Sequence, residues 1–310
     1  MKYAPSLYHL AYIALVSLLC FSCSEDRQTV VIPDNNAPPY EGIPTVIIEN
    51  YVNRLYIDLI GREPFDAEMI ADVELLKANN LSEQTRRDIA TRLQTSQSFI
   101  EGDSSYWHAY HQRIYDMTKA RLLEGVADYV IWSEIGIVQN GVTRDSLAGD
   151  SVGVQQGRAT IAKYFNIMSS HYEYRRGEIS ISEMYARMLN NPVYDLINMN
   201  SFNFINACFD DLFFRFPTNA EFLNSFDVIE YNTASTLFGQ PCQTKDEYVD
   251  ILINSREYYE GMIRWVYQAL LAREPSTAET NDKMQWFYTT NPDLARLQLE
   301  VVITDEYANF

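Results

Sequence analysis

His108 and His111 are the first residues here whose spacing suggests chemistry. Three apart in SSYWHAYHQRIYD, they fall on one helix face, and two imidazoles on one face can begin a metal site. Glu101, Asp103 and His171 are the groups available to complete it, and none stands in register with the pair. The plainer reading is an aromatic helix with histidines at its edge. Cys208 and Cys242 offer thiol chemistry: an exported chain permits a bridge between them. Against that, Cys208 falls on an apolar helical stripe, where it packs as a small buried residue, and Cys242 lies in FGQPCQT, read as a loop. Both readings stand at this level. Arg62, Arg215 and Arg273 recur in equivalent settings. A guanidinium fork suits a carboxylate or sulfate ligand; it equally suits an internal pair with Glu68, Glu221 or Glu279 at a helix end.

Residues 149–152 read GDSV, the lettering of a serine-hydrolase nucleophile. They sit in a polar stretch, NGVTRDSLAGDSVGVQQG, read as a loop without a preceding strand. The only histidine that follows is His171, and none stands near the end where a base belongs. No haem, zinc-helix, phosphate-loop or calcium-loop motif is present, so no cofactor and no catalytic residue is assigned. Forty-two acids against twenty-four Lys and Arg give a formal charge of −18. That field repels phosphate backbones, which argues against nucleic acid as a partner. It also leaves too many carboxylates for sequence to single out a glycosidase pair. Tyrosine is abundant; clusters at 106–115 and 172–176 are read as helix packing, or as rings presented to a sugar or a protein.

The elements that position these residues come from a recurrence. RLYIDLIGREPFDAE at 54–68 returns as ACFDDLFFRFPTNAE from Ala207 and as WVYQALLAREPSTAE from Trp265. Aligned on Pro64, Pro217 and Pro275, the three copies place apolar residues at offsets 0, 3, 4, 7 and 8. These are Val52, Leu55, Tyr56, Leu59 and Ile60; then Ile205, Cys208, Phe209, Leu212 and Phe213; then Ile263, Val266, Tyr267, Leu270 and Leu271. That spacing is one buried helix face. The proline ends the helix. Thr218 with Glu221, and Ser276 with Glu279, have capping-box spacing for a second helix; in the first copy Phe65 holds the cap position, and Asp66 is expected to cap one residue later. Ser96, Ser255 and Thr304 stand three residues before Phe99, Tyr258 and Tyr307, as N-caps of a further helix would.

The ends supply an address. Met1 and Lys2 precede an apolar run at 10–21, a secretory leader too short to span a bilayer stably. Ser22 before Cys23 resembles a lipobox, with Cys20 where Leu is usual, which makes Cys23 the expected lipidation site. Glu25 and Asp26 resemble the export signal of Bacteroidota surface lipoproteins. Pro33, Pro38, Pro39 and Pro44 among polar residues suit an extended tether. The expected organisation is a signal peptide at 1–22, a Pro-rich tether at 23–45, and a first helical module with an aromatic helix at 46–125. A helical insertion with a polar loop follows at 126–200, then a second module at 201–261 and a third at 262–310. The fold class is all-α.

Tyr56, Leu59, Arg62, Pro64, Ser96 and Phe99, matched by Tyr267, Leu270, Arg273, Pro275, Thr304 and Tyr307, make the modules resemble the phycobilisome linker domain. They are also similar to helical domains of unknown function in bacterial extracellular proteins. With the Trp-bearing helix that follows, the first copy is similar to an N-terminal domain of planctomycete surface proteins. The second copy departs, with Phe209 for Tyr and Phe214 where the first has Gly61. The resemblance covers about half the mature chain and none of 124–201. It implies a helical fold and linking or scaffolding roles without established catalysis. The leading expectation is therefore a non-enzymatic, lipid-anchored outer-membrane scaffold or adaptor, exposed at the cell surface, whose partner is another envelope protein. A glycan- or nutrient-binding lipoprotein is the first alternative and an unrecognised hydrolase the second.

Overall fold

The computed structural model describes residues 42–289 and 292–310. Cys23, the leader and all but the end of the tether lie outside the described residues. α1 (Thr45–Ile60), α2 (Asp66–Ala78) and α3 (Glu83–Thr95) form the first copy, followed by α4 (Tyr106–Leu122), the aromatic helix. α5 (Asp128–Leu147), α6 (Ser151–Arg175), α7 (Ile181–Leu189) and α8 (Pro192–Asn198) are the insertion. α9 (Ser201–Phe213), α10 (Asn219–Tyr231), the hairpin β1 (Ser235–Leu237) and β2 (Gln240–Cys242), and α11 (Lys245–Asn254) make the second copy. α12 (Arg256–Leu271), α13 (Thr277–Phe287), α14 (Leu294–Val302) and α15 (Asp305–Ala308) make the third. The described fold is all-α apart from that one hairpin.

The repeated stripes are the core. Every stripe residue named above is buried except Leu271, which is half-buried. Each first helix ends on a left-handed residue at the same place: Gly61 at φ 78°, Phe214 at φ 57° and Ala272 at φ 54°. The chain then turns through Arg-x-Pro into a second helix opened by a capping box. Thr218 and Ser276 accept from the backbones of Glu221 and Glu279 at 3.3 Å, while those carboxylates return to the cap N–H at 2.7 Å. In the first copy Asp66 does not cap: it is already the first helical residue, and Glu68 alone serves the Phe65 N–H, at 2.7 Å.

Ser255 and Thr304 cap α12 and α15, accepting from Tyr258 and Tyr307. Ser96 does not cap a helix. The chain after it makes an extra turn, in which Phe99 bridges Ser105, and Ser105 caps α4 instead. α12 also runs unbroken through 261–262, so the closing motif of the second copy and the opening stripe of the third share one helix.

Two contacts close the body. A Cβ on Gly261 would overlap the carbonyl oxygen of Leu212, so α9 and α12 cross at backbone contact, an approach only glycine permits. The first copy meets the third across the length of the chain. Tyr51 donates to the Val302 carbonyl at 3.3 Å, Tyr307 to Asp58 at 2.7 Å, and Arg86 to Asp305 at 2.6 Å.

The insertion corrects the expected polar loop. Residues 140–157 are helical except for a turn at 148–150, because Asp150 caps α6, accepting from Val152 and Gly153. α5 and α6 form an antiparallel hairpin on a seam that includes Ile131, Ile135 and Val142 facing Tyr164 and Ile167. Gly157 lets Val142 sit against the α6 backbone. Between residues 136 and 160 only Val142 is buried, so this distal stretch is an arm standing off the body. Cys242, read as loop, lies in β2, whose two-residue turn carries positive φ at Phe238 and Gly239.

Candidate docking surface

The three arginines do one job each time. Arg62 forks onto Glu68 at 2.8 Å through both terminal nitrogens and reaches Asp103 at 2.7 Å. Arg215 forks onto Glu221 at 2.8 Å and onto Glu257; Arg273 forks onto Glu279 at 2.7 and 3.0 Å and onto Glu306. Each also donates to the carbonyl of the next residue, Glu63, Phe216 or Glu274. Tyr56, Phe209 and Tyr267 lie beneath the guanidinium at 5.7, 5.1 and 5.3 Å. The hydrogen bonds of Arg215 and Arg273 occupy all five of their N–H groups, leaving no donor for an outside anion. The pairing also acts on the acids: hydrogen bonding to Arg215 and Arg273 holds Glu221 and Glu279 down at about 2.

The other chemistry-bearing residues are scattered. His108 Nδ1 accepts from Arg175, and burial next to that cation lowers its pKa. His111 Nδ1 lies 2.7 Å from the Trp107 carbonyl. His171 packs between Tyr115 and Tyr172. Among the described residues no three His, Cys, Asp or Glu side chains converge as a metal site. Cys208 and Cys242 are both free and buried, and burial pushes the Cys208 thiol well up. Ser151 of the GDSV run opens α6, while His171 is at that helix's far end, about 30 Å away at ~1.5 Å per residue. Tyr106, Tyr110 and Tyr115 are buried and face the core, Trp107 and Tyr174 are half-buried, and Tyr172 is exposed.

A cavity of about 270 Å³ between α6, α7 and α11 gathers Lys163, Glu183, Arg187, Asp246 and Asp250. Its charges are largely paired internally. Lys163 donates to Asn190 at 2.7 Å and pairs with Asp246 at 3.5 Å, and Arg187 reaches Glu183 at 3.1 Å. Hydrogen bonding from Asn190 and the nearby Lys163 keep Asp246 below the usual carboxylate range, which does not suit a general acid. Two acids elsewhere are pushed up by burial: Asp58, held by the Tyr307 hydroxyl at 2.7 Å, and Asp211, which rises to about 6 and is held by the Tyr194 hydroxyl at 2.7 Å.

On the second copy the surface has a feature that the repeat skeleton does not require. Phe202 on α9 meets Phe222 on α10 at 5.1 Å; Phe222 stacks on Phe226 at 5.8 Å, and Phe226 meets Tyr231 at 5.6 Å. Phe202 and Tyr231, at the ends of this row, are 58% and 65% exposed, and Leu223 beside it is exposed. Asp227 and Glu230 are exposed on the same helix, and Glu230 accepts from Ser201 at 2.6 Å. The other two copies have no such row. Where the second has Phe202, Phe222, Phe226 and Tyr231, the first has Glu49, Met69, Val73 and Ala78, and the third has Glu260, Thr280, Met284 and Thr289. Aligning the copies residue by residue beyond the stripe was the signal available in the sequence. No family model matches the chain, and no curated protein or solved structure matches it.

Proposed function

We propose that the protein is a non-enzymatic envelope adaptor, anchored through an acylated Cys23, that docks another envelope protein on the aromatic row of its second copy. The observation that carries this reading is the row itself. Its end rings, Phe202 and Tyr231, are exposed and its middle rings half-buried, on a skeleton that elsewhere places no aromatic residue at the same positions. Phenylalanines hold no hydrogen-bonding group, so water is a poor neighbour and an apolar protein surface a good one. Asp227 and Glu230 beside the row favour a partner with basic residues around its apolar ridge. Arg215 and Arg273, whose donors are all taken by the chain's own carboxylates and carbonyls, support a constructional role for the repeat.

The test is affinity capture from detergent-solubilised envelopes, comparing the unmodified chain with Phe202→Glu and Tyr231→Glu. A stoichiometric protein retained by the first and lost from both variants, with helical circular dichroism unchanged, is the expected result. Recovery of no stoichiometric protein, or equal recovery by all three, sinks the reading. Loss of acyl labelling in Cys23→Ser tests the anchor separately.

A further inference from the structure

We propose that the α5–α6 arm pairs with the arm of a second copy of this chain, closing an antiparallel four-helix bundle. This goes beyond the adaptor reading and uses a different surface. A two-helix hairpin buries only the seam between its helices, and four-helix bundles form when two such hairpins lay their remaining apolar faces together. The arm has such a face. At its root Trp132 and Phe165 meet edge to face at 5.6 Å, with Trp132 55% exposed. Toward the tip an open groove holds Val154 among the polar side chains of Ser146, Asp150, Gln155 and Arg158. On α6, Val154, Ile161, Phe165 and Met168 follow at helical spacing, none of them buried.

Charge selects the occupant. The chain carries −18, yet residues 136–162 hold two arginines, Arg144 and Arg158, and two aspartates, Asp145 and Asp150. Two copies of this chain repel through most of their surfaces and do not repel along their arms. The size sets the strength: from Trp132 to the tip the paired helix is about 24 Å long and roughly 20 Å wide, about 480 Å² a side, in the range of weak, reversible interfaces.

The experiment is sedimentation velocity on the full chain carrying Cys23→Ser, so that no acyl group drives association. At about 100 µM, well above the micromolar dissociation constant expected of so small an interface, the mass should be that of two chains. Trp132→Glu combined with Val154→Glu should give one chain with unchanged circular dichroism. Leu147→Glu at the tip and Phe202→Glu on the second copy should leave two. Should the double variant misfold, hydrogen exchange on the Cys23→Ser chain decides, because amides at 136–160 should lose protection on hundred-fold dilution. A single-chain mass throughout, a dimer that survives the double variant, or arm exchange independent of concentration overturns the proposal. Because Phe202→Glu tests the adaptor surface and Trp132→Glu the arm, the two readings fail separately.

Discussion

Ala272 occupies the left-handed position that Gly61 fills in the first copy, at φ 54° against 78°. An L-residue with a Cβ is disfavoured there by about 1 kcal/mol. Ala272→Gly should therefore raise the urea midpoint by about that free energy with no change in slope, despite the added freedom of the unfolded chain. Arg215 shows the opposite dependence on side-chain detail. Arg215→Lys keeps the charge but cannot fork onto Glu221 and Glu257 together, and should destabilise by about 1–2 kcal/mol in the same measurement. Its guanidinium is roughly a third exposed, which holds the figure to that range.

Among elements, the crossing of α9 and α12 rests on Gly261. Gly261→Ala has to separate two backbones already in contact, and should cost about 3 kcal/mol, read as a fallen thermal midpoint. The stripes at offsets 0, 3, 4, 7 and 8 were legible because burial on one side of a helix leaves a period, and the capping boxes because two hydrogen bonds demand two residue types. The extra turn between Ser96 and Ser105 was not legible, since it depends on where α4 has to start relative to α1. Helicity across NGVTRDSLAGDSVGVQQG was hidden by its glycines, which read locally as a loop; the seam with Val142 outweighs that propensity. Of the surface features, Phe202 and Tyr231 were in plain view as letters, but exposure is a property of what fails to cover them.

For the whole molecule, two opposed kinds of titration shape the pH profile, carboxylates held down by arginine and carboxylates pushed up by burial. Glu221 and Glu279 have folded values near 2 against 4.5 unfolded. Their stabilisation is present above pH 4.5 and is lost as pH falls toward 2. Asp211 has a folded value near 6 against 3.8. The folded state binds its proton more tightly, so stability falls as pH rises from 3.8 to 6 and is level above that. Stability measured by denaturant against pH should peak between about 4 and 5 from these groups. Asp211→Asn, which keeps an acceptor for Tyr194, should remove the Asp211 share of the decline, leaving that of Asp58, and add about 2 kcal/mol at pH 7. A profile flat from 4 to 7 in the unmodified chain would contradict this.

The bonding of Tyr51, Asp58 and Arg86 to Val302, Tyr307 and Asp305 has a consequence in time. A chain delivered amino end first threads out the apolar side of its earliest helix hundreds of residues before the segment that shelters it emerges. Such a polypeptide stays unlocked throughout its passage and sets only when its last turn arrives.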